Sequence, residues 1–209
     1  MRGMSELDTQ AGVVSVSRDL LRRVAMSMEK VHERMLRTTE ALEKGGVPFA
    51  VIGGNAVAIW VESVDAGAGR STKDVDIVLR RANLQQAIDV MAAAGFDFEE
   101  VNGVSMFLER EDPMPSRGVH LLFVGEKVRP DNKHPVPDFL NIKRSPEGVP
   151  AVGLHELLIL KLQSYRRRDQ VHVEDMLHVG LIDDEQANRL PPDLRERLDA
   201  IRENPDDPL

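Results

Sequence analysis

From Ser17 to about Lys44, apolar residues fall at Leu20, Val24, Met28, Val31, Met35 and Leu42, mostly three or four apart with charged residues between them. That spacing predicts an amphipathic helix. Gly45-Gly46 ends it, because glycine tolerates the left-handed conformation common at a helix C-terminus. Val47 to Ile52 is short, apolar and bounded by glycine pairs, which predicts a buried strand. A helix over Asn55 to about Val61 and a flexible Gly/Ala-rich loop over Asp65 to Ser71 follow. Asp74 to Leu79 alternates acidic and apolar residues, a second strand with its carboxylates at one end.

Asn83 is a plausible cap for a helix running to Ala94, closed by Gly95. Three strands are expected next: Phe96 to Val101, Val104 to Glu109 and Val119 to Val124. Gly125 to Pro150 is polar and holds five prolines, so it reads as an ordered loop or short hairpin over the surface. Helices are expected at about Leu154 to Arg168, Val171 to Val179, Asp184 to Leu190 and Pro192 to Arg202, with Asp183 capping the third and Pro192 opening the fourth. The order is helix, strand-rich middle, helical block, an α/β (α+β) pattern. We divide it into a flexible N-terminus (1–16), an α/β core with its N-terminal helix (17–152), a C-terminal helical block (153–203) and a frayed tail (204–209).

The 209 residues carry 27 Lys+Arg against 35 Asp+Glu, a net charge of −8, which argues against a protein that coats nucleic acid electrostatically. A local basic patch stays open. With no cysteine there is no disulfide framework, no thiolate zinc site and no cysteine nucleophile. No apolar run approaches the ~18 residues of a membrane span, and the N-terminus lacks the order of a secretory signal. A cytoplasmic protein without a membrane partner is expected.

The candidate chemistry lies between two short segments. Gly53-Gly54 follows a strand and opens a helix, where backbone free of side chains can approach a phosphate; a tight turn is the plain alternative. Asp74 and Asp76 leave the same face of a strand with Cα atoms roughly 7 Å apart. Two carboxylates aimed at one spot call for a cation, and magnesium held by one or two carboxylates plus substrate phosphates is the natural candidate. Arg70, Ser71, Thr72 and Lys73 put two cations and two hydroxyls beside the pair, either to bind phosphate or to neutralise the acids.

The runs Gly53-Gly54-Asn55-Ala56-Val57-Ala58-Ile59-Trp60 and Arg70-Ser71-Thr72-Lys73-Asp74-Val75-Asp76-Ile77 resemble the signature of the DNA polymerase β-like nucleotidyltransferase superfamily. The likeness is closest to its abortive-infection nucleotidyltransferase toxin branch and related uncharacterised bacterial proteins. It covers Val47 to Leu79 and, more loosely, Leu154 to Asp175. The resemblance implies a nucleotidyltransferase fold with a short mixed β-sheet, a glycine turn holding a nucleoside triphosphate, and an Asp-x-Asp pair binding two divalent metals, Mg2+ or Mn2+. It places Gly53, Gly54, Asn55, Arg70, Thr72, Lys73, Lys161 and Tyr165 at the nucleotide, and Asp74, Asp76 and His120 at the chemistry. The acceptor is open, with tRNA or a protein among the classes considered.

Lys161 interrupts the apolar stripe of Leu154, Leu157, Leu158, Tyr165 and Arg168, so it either reaches triphosphate or snorkels beside an interhelical ion pair. Arg166 to Arg168 reads as a solvated basic turn pairing with Asp169, Glu174 or Asp175, against a patch for a polyanionic acceptor. The superfamily usually adds a third carboxylate from a later strand. The matching strand here, Gly118 to Val124, carries His120 instead, with Glu109, Glu111 or Glu126 as substitutes for the acid. Histidine accepts a proton near neutral pH and ligates zinc or manganese but is a poor magnesium ligand. The other histidines show no metal spacing. The function expected is transfer of a nucleoside monophosphate to a hydroxyl acceptor. The alternative is a catalytically degenerate nucleotide- or partner-binding module, with a homodimer through the N-terminal helix in view.

Overall fold

A computed structural model describes residues 18–70 and 72–203. The expected loose ends (1–16 and 204–209), Ser17 and Ser71 lie outside the described residues. The long N-terminal helix is α1 (Arg18–Lys44), and Val31, Met35 and Leu42 in its C-terminal part are buried in the core. Leu20 and Met28 of the expected stripe are about half exposed, at 46% and 48%. The side chain of Val24 lies outside the described residues.

Phe49–Ile52 (β1) runs into Gly53–Glu62 (α2), and Val75–Leu79 (β2) pairs antiparallel with β1. Leu84–Ala93 (α3) leads to the meander Phe96–Val101 (β3), Val104–Glu109 (β4) and Val119–Phe123 (β5). Asn83 stands at the start of α3 but makes no side-chain capping bond; the chain enters through a 3-10 turn, Arg81–Asn83. Ile142–Arg144 (β6) and Pro150–Val152 (β7) complete a seven-stranded mixed sheet of order β3-β4-β5-β2-β1-β7-β6.

The proline-rich segment does form a short hairpin, β6–β7, but it joins the sheet and the core instead of lying over the surface. Its β7 pairs parallel with β1, through Val51 and Ala151, and Val136, Phe139 and Val149 are buried in the core. Three residues that begin with a proline carry too little pattern to announce a strand; pairing with the buried β1 makes them one. The Trp60 ring nitrogen donates to the Val152 carbonyl at 2.9 Å, fastening α2 to β7.

The C-terminal helices are Leu154–Ser164 (α4), Arg167–His178 (α5), Asp184–Asn188 (α6) and Pro192–Glu203 (α7). The continuous helix expected from Leu154 to Arg168 breaks at Tyr165, which adopts a left-handed conformation (φ 50°). Arg197 from α7 donates to the Leu162 and Gln163 carbonyls at 2.7 and 2.9 Å, satisfying acceptors that α4 leaves open at its end. Asp183 does cap α6, accepting from the Gln186 N–H. Among the described residues, no helix is long and apolar enough to cross a membrane.

Candidate active site

The sheet register builds the site. Ile52 pairs with Asp76, and Asp76 pairs with His120, so the end of β1, the start of β2 and the start of β5 form one row across three strands. Residues level on neighbouring strands share a face, which puts the His120 ring beside the Asp76 carboxylate. His120 Nδ1 lies 3.3 Å from Asp76 Oδ1 and 3.9 Å from Asp74 Oδ2. Hydrogen bonding to Asp76 raises the His120 pKa above its ordinary value against the opposing effect of burial, and the Pro115 carbonyl and Asp74 add to the rise.

Asp74, one residue before β2, is set by two contacts. The Thr72 hydroxyl donates to Asp74 Oδ1 at 2.8 Å, and the Asn55 amide donates to the Asp74 carbonyl at 2.9 Å, tying the acid to α2. Gly53 has a positive φ of 70°, and a Cβ there would run into the Asp76 carboxylate. A Cβ on Gly54 would meet Thr72 Cβ at 3.1 Å and the His172 ring at 3.4 Å. The glycine pair thus lets the helix start close against the acids. The first turn of α2 has no side-chain cap bond and no acidic residue, so its amides face the site without a carboxylate of their own.

These groups form part of the wall of a cavity of about 740 Å³. Gly53, Gly54, Thr72, Asp74, Asp76, His120, Lys161 and Tyr165 line it. Asn55 acts behind the wall, while Arg70 is bound by Asp175 at 2.7 Å and the exposed Lys73 stands outside it. Among the described residues, Asp74, Asp76 and His120 are the one group of three whose ligand atoms gather within 4.8 Å of one another. The substitute acids are elsewhere: Glu109 is held by Arg34 and Arg37, Glu126 by Arg81, and Glu111 lines a separate depression.

Lys161 is 6% exposed and spans the α4–α5 break, 3.2 Å from Asp169 Oδ1 and 2.9 Å from His172 Nδ1. Its ammonium is engaged in an interhelical cluster, while the side chain still contributes to the cavity wall. Burial pushes the His172 pKa down to about 4, helped by the Lys161 charge, so the ring is neutral at pH 7. Lysine can only donate, hence Nδ1 of His172 accepts and Nε2 carries the proton. Burial raises the Asp169 pKa, but Arg166 and Lys161 outweigh it and hold the carboxyl below its usual range. Arg166 pairs with Asp169 at 2.8 Å as expected, although the basic run opens α5 rather than ending a helix.

Sequence spacing passes over His172, Arg129, Lys133, His134 and Arg197, all of which line the cavity. His134 donates its backbone N–H to Gln163 at 2.7 Å, and its ring lies 3.0 Å from Asp193 of α7, so the proline-rich segment is fastened across the cavity to the C-terminal helices. The one sequence signal for these residues is the clustering of Lys127, Arg129 and Lys133 in an otherwise acidic chain.

The sequence matches no protein-family model and no curated protein. Among solved structures, an antigenic nucleotidyltransferase-like protein from Paracoccidioides brasiliensis is similar with a TM-score of 0.52 at 15% identity, over 85% of this chain and 90% of that one. ANT(2'')-Ia in complex with adenylyl-2''-tobramycin is similar with a TM-score of 0.51 at 12% identity, over 86% of this chain and 98% of that one. The mixed α/β architecture of this chain is thus the fold of these nucleotidyltransferase neighbours.

Proposed function

We propose that this chain transfers a nucleoside monophosphate from a metal-bound nucleoside triphosphate to a hydroxyl acceptor. The observation that carries the reading is the meeting of Asp74, Asp76 and His120 with the uncapped Gly53-Gly54 helix start at one cavity. The donor set fits a divalent cation: two half-buried carboxylates and a ring nitrogen from adjacent strands. Asp74 and Asp76 would hold it, and a bound divalent ion supplies charge neutralisation at the phosphates and polarisation of the attacking and leaving oxygens.

The α2 amides at Gly53 and Gly54 receive phosphate oxygens, with the positive end of the helix favouring them. An acceptor hydroxyl attacks the α-phosphate; one P–O bond forms, the bond to pyrophosphate breaks, and the hydroxyl proton is released. Thr72 keeps the Asp74 carboxylate aimed while this happens, and Asn55 holds the Asp74 main-chain carbonyl. Arg129 and Arg168 on the cavity wall suit an anionic chain or phosphate group. Of the two acceptor classes considered, tRNA and protein, this charge suits tRNA.

Calorimetric titration with each of the four nucleoside triphosphates, in Mg2+ and in Mn2+, tests the reading beside the double variant Asp74→Asn/Asp76→Asn. Binding of at least one nucleotide that disappears in the double variant is expected; a folded wild type that binds none overturns the proposal. Gly53→Ala gives a sharper geometric check. Its methyl group must displace the Asp76 carboxylate, whereas Gly46→Ala carries similar backbone strain (φ 66°) with nothing within 4 Å. Gly46→Ala should lose about 1–2 kcal/mol of stability and Gly53→Ala at least as much, but only Gly53→Ala should lose nucleotide binding. Equal binding by the two would remove the role given to the turn.

A further inference from the structure

We propose that His120 is itself a metal ligand, through Nδ1, and that the Asp74–Asp76–His120 site is therefore built to prefer a nitrogen-binding transition ion of the Mn2+ class over Mg2+. The inference rests on the metal-site reading above and deepens it by fixing the chemistry of the third ligand.

The ring has two nitrogens with different neighbours. His120 Nε2 lies 3.0 Å from the Pro115 carbonyl oxygen. That oxygen also accepts the Gly118 N–H at 3.2 Å. A carbonyl can only accept, so Nε2 must carry the hydrogen. Where a cation takes the place of the second ring proton, the lone pair it meets is therefore on Nδ1, the nitrogen directed at Asp76 and Asp74. A ring whose far N–H is held by a backbone carbonyl has its tautomer and orientation fixed for ligation.

The support behind Pro115 is equally tight. The Pro115–Arg117 turn closes onto Gly118, and a Cβ at Gly118 would sit 3.0 Å from Leu108 Cδ2, 3.3 Å from the Phe107 carbonyl and 3.4 Å from the Pro115 carbonyl. Glycine there lets the turn lie close on β4, which pairs with β5 through Met106 and His120. The carbonyl that orients the ring is thus anchored to the same strands that present it.

Ligand atoms bonded at about 2.1 Å to one ion stand about 3 Å apart. The separations of 3.3 and 3.9 Å between Nδ1 and the two carboxylates close to that value with side-chain rotation alone. The choice of ion follows from the donor set. Mg2+ demands oxygen ligands and gains little from imidazole, whereas Mn2+ and the ions after it accept ring nitrogen readily. A neutral ring also brings no negative charge of its own, which weakens the hold on a hard cation most.

Pulsed electron paramagnetic resonance of the full chain loaded with Mn2+ reads the ligand directly, through the hyperfine coupling of a histidine nitrogen. We expect that coupling in the wild type and its loss in His120→Asp. In Mg2+ competition against bound Mn2+, the preference for Mn2+ should fall at least about tenfold in His120→Asp. Mn2+ bound to the wild type without nitrogen coupling overturns the proposal, and needs no variant to do so. An unchanged ion preference in a folded His120→Asp overturns it too, while leaving the aspartates as a metal site. Mn2+ affinity that is unaffected in Asp74→Asn/Asp76→Asn would instead bring down the metal-site reading and this inference together.

Discussion

Asp76→Asn is expected to lower nucleotidyl transfer by three orders of magnitude or more, about 4 kcal/mol of transition-state stabilisation, without unfolding the chain. Asp76 is the middle member of the row Ile52–Asp76–His120, and its carboxylate fills the space that Gly53 leaves by having no side chain. Asparagine has the same shape, so the packing against Gly53 survives. What disappears is the charge that holds a cation at the cavity wall and the acceptor that faces His120 Nδ1. The comparison is Glu62→Gln, at the exposed far end of α2, which should stay within about twofold of wild type. Similar losses in the two variants, measured as pyrophosphate release with a competent acceptor, would sink the assignment.

The same row shows why much of the fold was legible in the chain. Apolar runs bounded by glycine announce β1, and the alternation around Asp74 and Asp76 announces β2, because both strands are short, buried and sharply edged. The meander β3–β4–β5 is legible for the same reason. The weak points are elements whose identity is set by a distant partner. Pro150–Val152 is a strand because β1 offers it a free edge, and Leu20 and Met28 keep to a helical period although both are about half exposed.

The C-terminal wall is the harder case. The helical period of Leu154 through Arg168 continues straight across Tyr165, so nothing local marks the break. In an unbroken helix Lys161 and Asp169 would be eight residues apart, about 12 Å along the axis. In the folded chain they are 3.2 Å apart, because Arg197 caps α4 and α5 turns back. The placement of His172 beside Gly54 depends on the same reversal, which is why spacing alone dismisses it. The candidate site was thus readable where it lies on strands and hidden where tertiary contacts reverse the helices.

That reversal makes Asp169 the residue whose loss should cost most in stability. Asp169 is 1% exposed and accepts from Lys161 and from Arg166, while Lys161 is itself 6% exposed. In Asp169→Ala the Lys161 ammonium keeps only the neutral His172 ring as a partner. A buried charge without its counterion costs about 3–5 kcal/mol, a large share of the roughly 5–15 kcal/mol that holds a domain folded. Lys161→Met should be milder, since Asp169 retains Arg166, whose exposed guanidinium follows the carboxylate. The double variant Lys161→Met/Asp169→Leu should recover most of the loss, because two apolar side chains of similar bulk leave no charge to desolvate. Urea unfolding of the three variants reads these differences as midpoint shifts. A loss below about 1 kcal/mol in Asp169→Ala would mean that water reaches Lys161 and that the cluster does not set the α4–α5 angle. If the loss is as large as expected, nucleotide binding should weaken in the still-folded fraction as well, because the same cluster holds Lys161 and His172 at the cavity wall against Gly54.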